Sequence, residues 1–531
     1  MGARVIKTVG VMGLVLVGCF IGGCESGAGP LGPRRDLGAT IGSLAEVVTP
    51  DKVAVEGYCI VGGLRGAGSG DCPPRVRAYL KQYILKQLSD SIRNADSFIS
   101  SNDTAVVRVY GVMSTAVSEG RDFDVMIATL PGTQTRSLEG GWLYRTELKQ
   151  LGRFGLASRI LAVADGPVFM DTLDGSGIDR RAGYGLGRGR VLGEYPLGLI
   201  LRRPDFRVAS AIRNRLNERF GPATARAISA GQIELNVPGR YGKRQEQFIL
   251  VAKAMYLAET EEITKERVKA FVGKLAVAED KDASEIALEA IGNESLKKLP
   301  GLLKSGYEEV RLRAARCMLN LGSDAGLETL REIAMDKGSA YRVEALEAIT
   351  ISARRNDAAA VSRILLRDED FAIRLAAYEQ LRKLDDIAVT RRAIARSFYL
   401  ERVAQTKYKS IYVSRSGQPR IVLFGAPIIC SDNMFVQSAN GEITIDSRAG
   451  QDYVSVMRKH PTRPTVIGPL RSSAELGDII ETVCEEPVRR TDGGRIGLGV
   501  TYADMIALLK QMCEKGAVGA EFLAGPLPRI E

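Results

Sequence analysis

Histidine is nearly missing from this sequence. His460 is the single one in 531 residues. A Ser-His-Asp triad, a multi-histidine zinc site or a His-Glu-x-x-His helix each places histidine at the reacting position, so most of those readings fail. The phosphate-loop pattern is missing too. Neither Gly242-Lys243 nor Gly273-Lys274 is followed by Ser or Thr. Charge of one sign is also scarce. Lys and Arg total 73 against 63 Asp and Glu, a net charge of +10 without a strong run. That balance fits a mildly basic surface and gives no sign of nucleic-acid binding. Hydrolase, metalloenzyme and NTPase readings recede, and no residue pattern calls for a cofactor or a metal. What is present is ordinary for a folded protein. Hydrophobic residues make up 45% and charged residues 26%, which excludes a polytopic membrane protein and a mostly disordered chain. At about 150 residues per domain, three or four domains are expected.

The N-terminus reads as an export signal over residues 1–24. Arg4 and Lys7 precede Val9 to Ile21, a run of 13 uncharged residues. That is short of the ~20 residues that span a bilayer but suits a signal peptide's apolar region. Two sites then resemble the lipobox of bacterial lipoproteins, Leu16-Val17-Gly18-Cys19 and Ile21-Gly22-Gly23-Cys24. Cys24 is the favoured acylation site, because cleavage there leaves a polar start. Cys19 is the alternative, and an ordinary cleaved signal remains a third reading. Acylation would tether the mature chain to the outer membrane, in an oxidising compartment. Residues 25–39 are rich in Gly, Pro and Ser at their start and read as a flexible tether.

Residues 40–262 show short apolar runs bounded by glycine. Val53 to Val61 is a strand candidate, followed by the glycine-rich Gly62 to Gly70. A tight turn is the better reading of that loop than a phosphate cradle, since Asp71-Cys72-Pro73-Pro74 intervenes before any helix. Arg75 to Leu88 then reads as a helix, with Val76, Tyr79, Leu80, Tyr83, Ile84 and Leu88 in one stripe. Cys59 and Cys72 flank the loop and are candidates for a disulfide, which needs Cα atoms within about 7 Å. Thr104 to Tyr110, Phe123 to Ala128, Gly140 to Tyr144 and Leu161 to Val168 follow as strands. Asp205 caps a helix whose Val208, Ile212, Leu216 and Phe220 recur every four residues, and Gly221-Pro222 ends it. Its Arg207, Arg213, Arg215 and Arg219 read as a solvated basic face. Gln232 to Pro238 alternates as a half-buried strand does.

Several of these stretches, taken in order, resemble the flagellar basal-body P-ring protein family. They include Gly57-Tyr58-Cys59-Ile60-Val61-Gly62-Gly63-Leu64-Arg65-Gly66-Ala67-Gly68, Gly120-Arg121-Asp122-Phe123-Asp124-Val125 and Ser137-Leu138-Glu139-Gly140-Gly141-Trp142-Leu143. Val163 to Val168, Pro204-Asp205-Phe206 and Gly231 to Pro238 complete the set. The resemblance implies an exported, non-enzymatic protein that forms a homo-oligomeric ring around the flagellar rod at the peptidoglycan layer. Its implied neighbours are the rod and L-ring proteins and peptidoglycan, with no nucleic acid and no cofactor.

Residues 263–400 change to continuous helix. Leu312-Arg313-Ala314-Ala315, Val343-Glu344-Ala345-Leu346 and Arg374-Leu375-Ala376-Ala377 look alike, with Ala314, Ala345 and Ala376 at a constant spacing. Glu285 to Ile291 reads as a degenerate earlier copy. The period resembles HEAT-type helical repeats, an insertion that the P-ring family lacks at this position. Cys317 is expected in its core. Residues 401–531 return to strands, with Ser410 to Ser414, Arg420 to Gly425, Pro427 to Cys430 and Glu442 to Ile445 as candidates. A helix over Ser473 to Cys484 precedes a second one that opens on Thr501 and Asp504 and is stopped by Gly516. Gly516 to Phe522 then closes on a strand. This ending also resembles the P-ring family. Cys484 and Cys513 are a second candidate pair, with Cys430 an alternative partner, and His460 is expected in an exposed loop. The fold expected is α+β, with glycine-rich P-ring-like regions split by an all-α HEAT-like solenoid.

Overall fold

The computed structural model describes residues 37–48, 52–87, 94–114, 120–153, 158–173, 179–193, 197–242, 244–277, 281–460, 465–489 and 495–530. The expected signal, Cys19, Cys24 and most of the tether lie outside these residues. Met1–Gly38 forms one unit and Ala39–Glu531 a second, and the second is described here. It contains both helices and sheets.

The first region, with its short apolar runs and glycines, forms a closed barrel. Its six strands run in the order Lys52–Gly62, Thr104–Ser114, Asp122–Thr129, Ala182–Val191, Ile160–Pro167 and Trp142–Gln150, which returns to the first. All neighbours are antiparallel. Val55, Val61, Val107, Val109, Ile127, Leu143 and Leu148 are fully buried, and Leu80 and Ile84 of the helix Pro74–Gln87 join the same core. Closure leaves the sheet without a free edge. It also demands glycine where strands approach closely. A Cβ on Gly57 would lie 2.4 Å from the Glu147 carbonyl oxygen.

A second, smaller core follows. Strands Ala45–Val47, Leu197–Leu201, Gln232–Leu235 and Ala225–Ala227 form a sheet, and Leu199, Leu201, Ile233 and Leu235 pack with Ile212, Leu216, Phe248 and Val251 of two helices. The helix Phe206–Phe220 starts where expected, because the Asp205 carboxylate accepts the Arg207 and Val208 amides. Its basic face departs from expectation. Arg215 turns inward to the Tyr256 carbonyl and Glu259, and Arg219 donates to the Glu289 carbonyl beside the Phe220 ring. Long arginine stems cover apolar surface while their heads reach carbonyls.

Helices then run from Glu261 to Lys383. Those at Lys281–Ile291, Glu308–Asn320, Arg342–Ser352 and Phe371–Lys383 lie each against the next. Polar contacts between them join residues about one sequence repeat apart. Arg316 holds Glu285, Asn320 donates to Glu289 at 3.1 Å, and Ser352 donates to Asn320 at 2.6 Å. Cys317 is buried as expected. The helical block ends earlier than expected, however. Thr390–Ile394 and Phe398–Val403 are paired strands of the C-terminal sheet, in which Ile394, Phe398 and Leu400 face one core and Val403 the other.

That sheet has five strands in the order Thr390–Ile394, Phe398–Val403, Arg420–Phe424, Ser410–Val413 and Glu521–Ala524. Its centre explains an unbroken apolar run. Ile421 and Leu423 pack with Ile479, Ile480, Leu508 and Leu509 of the two C-terminal helices. Val422 and Phe424 face the helical block, against Phe371 and Tyr378. A strand covered on both faces has no polar side. A four-stranded antiparallel sheet, from Met434–Gln437 to Val466–Ser472, completes the region. Pro427 to Cys430 is not a strand. Ile429 and Cys430 make isolated bridges only, and proline supplies no amide to a ladder. The last helix, Tyr502–Glu514, is capped by Thr501, and Gly516 turns the chain at φ +70°. The closing strand begins later than expected, at Glu521.

Candidate functional site

The barrel and the C-terminal region meet along a polar seam, although the helical block separates them in sequence. Asp124, which interrupts an apolar strand, is the centre of that seam. Its carboxylate accepts the Gly187 amide at 2.6 Å and the Gly417 amide at 2.8 and 2.9 Å. Burial pushes its pKa up, and these amide bonds pull the other way. Arg415 pairs with Asp171 at 2.9 Å, both largely buried. Lys510 donates to the Leu173 carbonyl at 2.7 Å, and Arg188 to the Ser397 carbonyl at 3.0 Å. A desolvated, hydrogen-bonded set of this kind fixes orientation between two bodies.

Beside the seam lies a cavity of about 580 Å³. Arg188 and Arg458 reach into it, Arg65 and Trp142 stand at its mouth, and Glu139 and Glu486 are exposed along its lining. Nothing in the sequence drew these residues together, because they come from distant segments. The glycine-rich loop after Val61 serves as a turn. Its Gly68 amide donates to the Asn102 carbonyl, and Asp71 accepts from the Ser69 hydroxyl.

The expected disulfides are not formed in this structure. Cys59, Cys72, Cys484 and Cys513 are free thiols, as are Cys317 and Cys430. Cys59 points into the barrel core and donates to the Arg145 carbonyl at 3.4 Å, whereas Cys72 is half-buried near Arg77. Cys484 is enclosed in the core near Asp504, while Cys513 lies within electrostatic range of Cys430. His460 is half-buried and bonds through its backbone amide to the Thr465 carbonyl at 2.7 Å. Among the described residues no group of three or more His, Cys, Asp or Glu is arranged to hold a metal, and no helix is long and apolar enough to cross a membrane.

Comparison with known proteins places the first two cores. The flagellar P-ring protein family matches residues 40–183 and 174–270, which cover the barrel and the small sheet with its helices. A flagellar P-ring protein of Anaeromyxobacter dehalogenans (strain 2CP-C) is 32% identical over 220 residues, 38% of this chain and 55% of that protein. Those of Shewanella baltica (strain OS195) and Pseudomonas savastanoi pv. phaseolicola (strain 1448A / Race 6) are 26% and 21% identical, over 42% and 48% of this chain and 63% and 73% of theirs. The chain thus spans little more than half the length of the first of these relatives. Residues 40–270, with the barrel, its glycines and the Asp205-capped helix, match the flagellar P-ring protein family.

Proposed function

We propose that this chain is a structural subunit of a flagellar basal-body P ring, assembling with copies of itself into a periplasmic ring around the rod. The observation that carries the reading is the family match over the barrel and the adjoining sheet. The work is geometric. Head-to-tail contacts that close by rotation build a ring, and a rigid sleeve around a turning shaft requires no reaction. The buried seam around Asp124 supports such rigidity, because it locks the barrel to the C-terminal region. In this reading the rod and L-ring proteins and peptidoglycan are the neighbours. An acylated Cys24, or Cys19, adds an outer-membrane tether.

The domain plan that goes with it is a lipoprotein-type signal over 1–24, a tether over 25–39, a P-ring-like region over 40–262, a helical insertion, expected over 263–400, whose last helix ends at Lys383, and a P-ring-like C-terminal region whose sheet starts at Thr390 instead of 401. We read the insertion as a HEAT-like repeat block. The stacking of its helices and the contacts from Glu285 to Arg316, from Glu289 to Asn320 and from Asn320 to Ser352 support that reading. Because the block lies beyond the matched residues except for its first few positions, it favours a second reading, an outer-membrane-anchored module that recruits a partner outside any flagellum. Electron microscopy of basal bodies isolated from cells carrying a tagged copy separates the two. Tag density in a ring around the rod, with swimming lost on deletion, is the result expected. Normal motility after deletion, with the tagged protein absent from basal bodies, would replace the first reading with the second.

A further inference from the structure

Two exposed surfaces of this chain carry apolar residues beside charges of opposite sign. The first is a corner of the small sheet. Phe206 opens its helix and is 73% exposed, although an aromatic ring gains most from burial. The Asp205 amide donates to the Ala230 carbonyl at 2.9 Å, which sets the half-exposed Ile228 on the same corner. Arg203 and Arg207 flank Phe206 and are exposed. Among the described residues neither guanidinium has a carboxylate partner, and Asp205 between them is engaged in capping the helix. Arg215 and Arg219 of the same helix turn inward instead. The second surface is the helix Arg342–Ser352 of the stacked block. A spacing of four places Val343, Glu347 and Ile351 on one exposed line, with Glu344 beside it. Acid and base alternate between the helices up to this point. Glu285 holds Arg316, 31 residues later, and Glu347 stands one repeat further on, where no cation meets it among the described residues. Arg316 comes no nearer to Glu344 than 4.0 Å. The arginines that follow are engaged elsewhere, Arg354 by Asp324 and Arg355 by the Leu384 carbonyl. The two surfaces are also far apart on one chain. Arg219, near the far end of its helix, bonds to the block at Glu289, so Phe206 stands about 20 Å along the helix from that junction.

We propose that these surfaces meet between copies of the chain, the Phe206 corner of one copy docking on the helix Arg342–Ser352 of the next. Arg203 and Arg207 meet Glu344 and Glu347, while Phe206 and Ile228 cover Val343 and Ile351. Charge complementarity singles out a second copy as the occupant, because each surface supplies the sign that the other lacks. Opposite charges set the register and suppress wrong partners, and the apolar residues form the desolvated centre. The contact joins two different surfaces, so it is heterologous. Each copy has one of each to offer, and a succession of such contacts can close into a ring. The helical block, most of which lies beyond the matched residues, thereby gains a place in the assembly. The proposal rests on the ring-subunit reading and assigns it a contact.

Sedimentation velocity of the full chain tests the contact. The parent should form oligomers at concentrations below about 0.1 mM and release them as salt rises. Arg203→Glu with Arg207→Glu should weaken self-association at least about tenfold, and so should Glu344→Arg with Glu347→Arg. All four positions are exposed, so both variants should keep the circular dichroism of the parent. A mixture of the two is the decisive arm. Both surfaces are acidic in the first variant and basic in the second, so each alone should stay monomeric while an equimolar mixture assembles. A mixture without oligomers, variants that associate like the parent, or a monomeric parent would each overturn the proposal. A monomeric parent that binds anionic phospholipid vesicles would overturn it in favour of a membrane at the Phe206 corner. Basal bodies separate this contact from the reading beneath it. Tagged rings that persist with Arg203→Glu and Arg207→Glu overturn the contact and leave the ring-subunit reading standing. Absence of the tagged parent from basal bodies removes that reading, and the mixture still decides the contact.

Discussion

The Asp124 carboxylate holds the amide of Gly417, 293 residues further along the chain, through both of its oxygens. The contact needs bare backbone at Gly187. Gly187, which supplies the second amide, has φ +59°, and a Cβ there would meet the Gly417 carbonyl at 3.1 Å. Asp124→Ala would leave two partly buried amides without an acceptor. It should cost about 1–3 kcal/mol. Asp124→Asn, which retains one oxygen, should cost less than half of that. Urea denaturation of the two variants checks the order, and equal losses would show that the amides do not depend on the carboxylate.

Within the helical block, Arg342 pairs with Asp368 while also donating to the Ala334 carbonyl, and both side chains are 8% exposed. Burial pushes the Asp368 pKa up, but the guanidinium and the Asp370 amide outweigh it and hold the carboxyl below its ordinary value. A carboxyl depressed in the folded state stabilises above its unfolded pKa, and that stability is lost as pH falls through the folded value. The pair's contribution should therefore be constant from neutral pH down to about 4 and vanish below it. Removing one partner of a buried pair costs about 3–5 kcal/mol, so Arg342→Met should be destabilised near pH 7 and show a flatter acid profile than the parent. Circular dichroism at 222 nm during acid titration is the measurement; parallel profiles would remove the pair from the account.

The six described cysteines should differ sharply in reactivity. Burial pushes the Cys59 thiol up to about 11 and the Cys430 thiol up to about 12, and places Cys317 and Cys484 well above the usual thiol range. The reactive species is the thiolate, which also needs access. Alkylation of the folded protein at neutral pH should begin with Cys72, the half-buried thiol beside Arg77, and reach Cys513 next, whose thiol is raised to about 11. The other four should react only on unfolding. Peptide mapping by mass spectrometry gives the order. Recovery of a bridged Cys59–Cys72 or Cys484–Cys513 peptide would restore the pairs expected from sequence.

How far the fold could be read in advance depended on whether its causes were local. The helix Phe206–Phe220 was legible because its cap, its stripe and its stop lie within 17 consecutive residues, Asp205 to Gly221. The strand Arg420–Phe424 was legible as an apolar run, but not the two layers that cover it. Barrel closure was hidden, since no local pattern says that Trp142–Gln150 returns to Lys52–Gly62. Arg215 and Arg219 read as solvated because charge is usually exposed, whereas their partners Glu259 and Glu289 come from a later loop and a later helix. The cavity was invisible for the same reason. Arg65, Trp142, Arg188 and Arg458 belong to different strands and loops, and only the meeting of barrel and C-terminal region joins them. Asp124 alone left a trace, as a carboxylate set in an apolar strand.

The helical block is bonded to the C-terminal sheet through a buried acid, which decides whether it unfolds alone. Glu401 is fully buried on the strand Phe398–Val403. It accepts from the Tyr378 hydroxyl and from Arg382 at 3.0 Å, both on the last helix of the block. Val422 and Phe424 place the same sheet in the block's own core. Cores that share residues in this way should melt together. Tyr378→Phe removes one donor from a buried carboxylate and leaves Arg382 as its remaining side-chain partner, for a cost of about 2 kcal/mol. Differential scanning calorimetry of the parent should show block and sheet in one transition, and Tyr378→Phe should lower that transition as a whole. If the variant instead splits off an early peak, the insertion is an independently folding body, and the rigid seam at Asp124 acts without it.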